Sequence, residues 1–141
     1  MDAERQVRGA VTKPPPSEPA AVILAGDLLK WIIPKVGRFP RQVRHGLGSR
    51  IEAAHLEVLE GLVEAQYTRG AGRGEALEFA NRRLQVARHL LRLAHEMTLL
   101  SENSYLHAAT MQVELGVQVG AWRKASGIMG NSSGNSAIPP T

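Results

Sequence analysis

A chain of 141 residues with 43% hydrophobic content is sized for one compact domain. The absence of cysteine excludes disulfides, thiolate metal sites and a cysteine nucleophile, and 4% aromatic content argues against single-strand binding on stacked aromatic platforms. A formal net charge of +4 with a pI near 10.0 permits nucleic acid or another anionic surface as partner and does not choose between them.

In chain order, Met1–Pro19 is polar and contains the run Pro14-Pro15-Pro16, so residues 1–19 are expected to form an extended, disordered arm. The arm lacks the basic, apolar, then small-residue pattern of a signal peptide. The first apolar stretch, AVILAGDLLKWII, is too short for a membrane span and is interrupted by Asp27 and Lys30. Both features point to the cytoplasm and against a membrane partner. Helix 1 is expected over Ala20–Ile33, with Pro34 marking its end. A tight loop follows through Val36–Phe39, and Pro40 suits the first turn of the next helix.

Helix 2 is expected over Arg41–Arg69. Between Lys35 and Arg50 the chain carries Lys35, Arg38, Arg41, Arg44 and Arg50 and no acid. A helix N-terminus already bears positive partial charge, so arginine there is mildly unfavourable. Its placement suggests an anionic partner, against the plainer alternative of a solvated charged loop. Gly70, Gly72 and Gly74 close helix 2. Helix 3 is expected over Glu75–Leu100. Ser101 supplies the N-cap of helix 4, which runs to about Lys124. Residues 126–141 are rich in Gly, Ser and Asn and read as a flexible tail. No strand pattern or repeat appears. Residues 20–125 therefore read as an all-α, antiparallel up-down-up-down four-helix bundle.

At about 100° per residue, helix 2 carries a core stripe of Val43, Leu47, Ile51, Ala54, Val58, Leu62 and Ala65. Leu56, Leu59 and Val63 lie nearly opposite. Glu57, Glu60 and Glu64 form a separate line that reads as a solvated face. Helix 3 has a core stripe of Leu77, Ala80, Leu84, Ala87, Leu91 and Ala94. A second stripe holds Phe79, Val86, Leu90, Leu93, Met97 and Leu100. Doubled apolar faces exceed what a surface helix needs and point to an oligomer sealed by Leu56, Leu59, Val63, Leu93 and Met97. The alternative is that helix 3 is simply central in a monomer. The polar remainder of helix 3 is a ridge of Asn81, Gln85, Arg88, Arg92 and His95, flanked by Arg82 and His89. Such a row of guanidinium groups suits phosphate oxygens, although a solvated or salt-bridged face is the alternative.

The search for catalytic chemistry is negative. His45, His55, His89, His95 and His107 have no metal-ligand spacing and read as surface or satisfied core histidines. GAGRG lies between two helices and reads as a turn. No serine nucleophile motif is present. Gly116 and Gly120 are weak evidence for close helix packing. The chain reads as a non-enzyme with no cofactor, metal or small-molecule substrate.

LLKWIIPKVGRFPRQVRHGLGSRI, LEFANRRLQVARHLLRLAHEMTLLS, Tyr105 and ELGVQVGAWRK together resemble the accessory variability determinant proteins of diversity-generating retroelements. The resemblance covers about Leu28–Lys124. Its most specific pieces are Phe39-Pro40-Arg41, the Leu90–Ala94 run, and Gly116 with Gly120-Ala121-Trp122. It implies a homopentameric basic bundle without catalytic activity. It also implies partnership with the element's reverse transcriptase and with RNA or DNA during mutagenic copying. The basic positions it implies are Arg41, Arg44, Arg88 and Arg92, with Arg82 and Arg83 less directly matched; Arg38 lies in the same basic stretch. Four-helix proteins encoded in intervening sequences of 23S ribosomal RNA genes are the related alternative, a structural oligomer with general RNA binding or none. A peripheral binder of anionic lipid or acidic protein is the third reading.

Overall fold

The computed structural model describes residues 19–127. The sequence-based arm up to residue 18 and the tail from residue 128 lie outside the described residues. Among the described residues there are four main helices and no strand, and no helix is long and apolar enough to cross a membrane.

Helix α1 spans Ala20–Gly37 and buries Ala21, Val22, Ala25, Leu28, Leu29, Ile32 and Val36. It continues one turn beyond the Ile33 end expected from the sequence, with Pro34 inside it. Pro34 and Lys30 are both exposed. The carbonyl that loses its N–H donor therefore sits where water can replace it. Continuing the helix also delivers Val36 to the core, and that burial outweighs the single lost bond. The Arg38 backbone N–H bonds to the Lys35 carbonyl and closes the helix.

Helix α2 is built from three contiguous pieces: Arg41–Val43, a π-helical turn over Arg44–Gly48, and Ser49–Gln66. The Pro40 carbonyl starts it, accepting from the N–H groups of Val43 (2.9 Å) and Arg44 (2.8 Å). The π turn brings buried Gly48 against α1. A Cβ there would lie 2.9 Å from Val36 Cγ1 and 3.5 Å from Phe39 Cδ2, so only glycine admits this approach. The helix buries Ile51, Ala54, His55, Val58, Gly61, Leu62 and Ala65. Gly61 is the contact point with the next helix: a Cβ there would stand 3.1 Å from Ala80 Cβ and 3.3 Å from the Ala76 carbonyl.

Helix α3 spans Ala71–Glu96. The α2–α3 connection is therefore shorter than the glycine run suggests. Gly70 alone turns the chain, with φ of 61°, while Gly72 and Gly74 lie within the first turns of α3. Arg73 makes this start possible by donating to the Ala65 carbonyl at 2.8 Å, which caps the end of α2. Helix α3 also stops four residues short of the expected Leu100. The N–H of Leu99 bonds to Ala94 (2.9 Å) and that of Thr98 to His95 (2.9 Å), and Thr98 adopts a φ of 59°. This is a Schellman cap with a β-branched residue at the left-handed position where glycine is usual. The turn folds Leu100 into the core, where it is buried.

Helix α4 spans Glu102–Ala125. Its expected cap is present: Ser101 Oγ accepts the Ser104 N–H at 3.1 Å. The four helices share one core, with Leu28, Ile32, Ile51, Leu62, Leu77, Leu84, Leu91 and Leu115 among its largest buried side chains. Polar contacts set their register. Lys35 Nζ donates to Ser104 Oγ at 3.3 Å, Trp31 lies 4.9 Å from the His107 ring, Arg83 pairs with Glu57 at 2.7 Å, and Arg123 pairs with Glu78.

Candidate nucleic-acid interface

The basic residues divide by what they touch. Arg38 and Arg41 are exposed around the α1–α2 loop. Arg44 is half-buried, and its guanidinium donates to the Gly37 carbonyl at 3.1 Å, tying α2 to the end of α1. Arg82 is exposed, whereas its neighbour Arg83 pairs with Glu57 across α2 and α3. Glu57 is therefore an inter-helix partner and not part of a purely solvated acidic face. Arg88 is exposed, and among the described residues no acid forms a salt bridge with it. Arg92 is also exposed; it lies 3.9 Å from Glu96 and 3.3 Å from His89 Nδ1.

Arg88 and Arg92 stand at a polar hollow between α3 and α4. Its volume is about 150 Å³, and Gln85, His89, Tyr105, Ala109, Gln112 and Val113 complete the lining. Helix periodicity builds the α3 wall, because positions 85, 88, 89 and 92 fall on one side of a helix. Across from them, Tyr105 stacks on His95 at 4.4 Å, and His95 Nε2 lies 3.1 Å from Glu102.

The deepest lining residue, Gln112, is only 2% exposed, as is His55 behind it. His55 Nδ1 lies 2.7 Å from the Ile51 carbonyl. A carbonyl only accepts, so Nδ1 carries the proton and Nε2 is the acceptor. Gln112 Nε2, 3.0 Å away, donates to it. Both ring nitrogens are thereby satisfied in the neutral form. Burial pushes the His55 pKa below its ordinary 6.5, and the Ile51 carbonyl only partly opposes this. His55 is thus a satisfied core histidine, within the reading made from sequence. Gln112 is a residue of the candidate site that sequence reasoning missed. Its signal was its place on α4 among Ala108, Leu115 and Val119, a polar residue on a core stripe.

The apolar residues proposed to seal an oligomer are mostly at the surface: Leu56, Val63, Leu93 and Met97 are exposed, while Leu59 is half-buried against the core. At about 100° per residue, Leu56, Leu59 and Val63 lie about 140–160° around α2 from Gly61, which faces α3. Leu93 and Met97 belong to a different helix, α3. The second α3 stripe is not uniform, since Phe79 and Val86 are exposed but Leu100 is buried. A further exposed ridge on α4, Leu106, Val113 and Val117, was not recognised from sequence. Gly116 and Gly120 mark no tight approach: a Cβ at Gly116 would meet Leu84 at an ordinary 3.7 Å and one at Gly120 would meet open space.

Among the described residues no group of three or more His, Cys, Asp or Glu side chains is arranged to hold a metal. A family model described as bAvd-like matches residues 24–126, which runs from the first turns of α1 past the end of α4. No curated protein and no solved structure matches the chain.

Proposed function

The chain belongs to the bAvd-like family, and on that premise we propose that it is a non-enzymatic accessory protein of a diversity-generating retroelement. In this reading it works in the cytoplasm, binding the element's reverse transcriptase and its RNA or DNA to support mutagenic copying. The observation that carries the proposal is the exposed Arg88–Arg92 pair, whose Arg88 has no acidic partner among the described residues. Guanidinium groups held one helical turn apart, Arg88 without an acid and Arg92 with only the long 3.9 Å contact to Glu96, suit successive phosphates. Arg82 on α3, Arg38 in the α1–α2 loop, and Arg41 and Arg44 at the start of α2 extend the basic surface. Gly61 against Ala80 and Glu57 against Arg83 support opposite directions for α2 and α3. An antiparallel pair brings the Arg41 end of α2 alongside the Arg92 end of α3.

The assembly in this proposal is a homopentamer. A cyclic ring requires two different surfaces on each subunit, because each neighbour is met head to tail. Exposed Leu56 and Val63 on α2, with exposed Leu93 and Met97 on α3, are the candidates for such a pair of surfaces. A ring also repeats a weak phosphate site around its circumference and raises avidity without new contacts.

The test is binding of an RNA or DNA oligomer across a salt series. Arg88→Ala with Arg92→Ala is expected to weaken binding and to flatten its salt dependence, leaving the oligomer intact. Lysine at both positions restores charge but not the bidentate fork, so rescue is expected to be partial. Unchanged affinity and slope in a folded double variant would return the protein to the structural-oligomer reading.

A further inference from the structure

We infer that the hollow between α3 and α4 is a pocket for one unpaired pyrimidine nucleotide, with the base against Gln112 and the phosphate on Arg88 and Arg92. The inference rests on the nucleic-acid reading of those two arginines and adds to it a ligand class and a base-sized receptor.

Three observations carry it. The first is size. The hollow holds about 150 Å³, and a cavity of about that volume accepts a single six-membered aromatic ring such as benzene. A pyrimidine ring is of that class, and a purine carries a second fused ring. The second is the distribution of polarity with depth. The guanidinium groups of Arg88 and Arg92 are exposed at the mouth, whereas Gln112 is buried at the base. A nucleotide has the same order, with a charged phosphate at one end and an amide-like base edge at the other. Inorganic phosphate would use the mouth and leave the deep amide idle. Tyr105, Ala109 and Val113 complete the lining and give a flat base something apolar to lie against.

The third observation is preorganisation. His55 accepts from Gln112 Nε2 at 3.0 Å, and the Ile51 carbonyl fixes the His55 tautomer from behind at 2.7 Å. The Gln112 amide is thereby held in one orientation before any ligand arrives. His55 uses one N–H of the three hydrogen-bonding functions of that amide. The carbonyl oxygen and the second N–H are of the kind that pair with a base edge. A buried glutamine fixed by a buried histidine is a costly arrangement for a helix core when a leucine would pack without polar partners. Its position at the base of a cationic hollow gives it a use.

The test titrates the full-length protein with CMP, UMP, AMP, GMP and inorganic phosphate at low salt, followed by NMR chemical-shift changes. CMP or UMP is expected to bind at least tenfold more tightly than inorganic phosphate and more tightly than either purine nucleotide. Ala109→Phe fills the hollow without touching the arginines. Val113→Trp does the same from an exposed position and keeps the test valid if the first variant fails to fold. Either filling variant is expected to erase the pyrimidine advantage while phosphate affinity and the salt slope for a long oligomer stay unchanged. Equal binding of all nucleotides and phosphate, or an undiminished pyrimidine advantage in the filled variants, overturns the pocket. Oligomer binding that remains dependent on Arg88 and Arg92 in that case leaves the broader proposed function standing. Loss of that dependence removes both.

Discussion

Acidification should destabilise this fold through His55 before the carboxylates titrate. In the folded chain the ring is neutral, donating to Ile51 and accepting from Gln112. Protonation would set an imidazolium N–H against the Gln112 amide N–H in a buried site. The folded pKa is therefore below 6.5, while the unfolded histidine keeps its ordinary value. The sign follows from linkage. As pH falls through about 6.5 the unfolded chain binds a proton and the folded chain does not, so the folded state loses ground. The contribution is complete above the unfolded pKa and is lost progressively until the lowered folded pKa is reached. One proton limits the slope to about 1.4 kcal/mol per pH unit. Urea denaturation followed by circular dichroism at pH 7.5, 6.5 and 5.5 measures it. The comparison protein is His55→Leu with Gln112→Leu, which removes both polar partners together and avoids leaving either one unsatisfied. The double variant is expected to show a flatter pH dependence over that range than the native chain. Equal slopes in the two proteins would refute the assigned tautomer and the buried neutral ring.

Val63→Glu and Met97→Glu are expected to break the proposed homopentamer while the bundle stays folded, because both side chains are exposed in the subunit. Light scattering should fall from about five times the 15.3 kDa chain mass towards a single chain. Leu59→Glu is a poorer probe than its sequence position suggests, since Leu59 also packs on the core and its change should lower the melting temperature too. Gly61→Leu should cost about 1–3 kcal/mol by overpacking the α2–α3 contact, read from the urea midpoint. Gly61→Ala should cost less, because a gain in helix propensity of about 1 kcal/mol offsets its contacts at 3.0–3.3 Å. Ser101→Ala should lose about 0.5–2 kcal/mol with the α4 cap.

The core was legible because a 3.6-residue period reports burial directly. Ile51, Ala54, Val58, Leu62 and Ala65 on α2, and Leu77, Ala80, Leu84, Leu91 and Ala94 on α3, are buried as the pattern requires. Helix ends were legible only where the cap lies in the local sequence, as Ser101 does. Pro34 misled because tertiary burial of Val36 overrode the local cost of a proline. Gly72 and Gly74 misled because the arginine between them, Arg73, reaches back eight residues to the Ala65 carbonyl and holds the turn that allows α3 to begin early. The end of α3 was hidden for a different reason. Its left-handed residue is Thr98, a type that carries no turn signal. At the candidate site the arginine ridge was visible as a spacing. The hollow was not, because it needs α4 to bring Gln112 beside α3 residues distant in sequence, Gln85 to Arg92.

The arginines show why composition alone is a weak guide to a basic surface. Arg73 caps α2, Arg44 ties α2 to α1, and Arg83 and Arg123 hold helix pairs together through Glu57 and Glu78. Those four have intramolecular work that ordering the bundle already supplies, and two of them have their charge neutralised by a contacting acid. Arg38, Arg41, Arg82 and Arg88 are exposed and have no salt-bridge partner among the described residues. Sequence proximity does not separate the two groups: Arg82 and Arg83 are adjacent, yet one faces solvent and the other faces α2. Helical geometry separates them, because a step of about 100° carries the next side chain to another neighbour. The unpaired group falls in two places, Arg38 and Arg41 around the α1–α2 loop and Arg82 and Arg88 on α3. A net charge of +4 is modest for a nucleic-acid partner. Pairing Arg83 and Arg123 with acids while Arg82 and Arg88 stay bare gives that modest charge a direction. That local field, not the total charge, would set how strongly phosphate is drawn to α3.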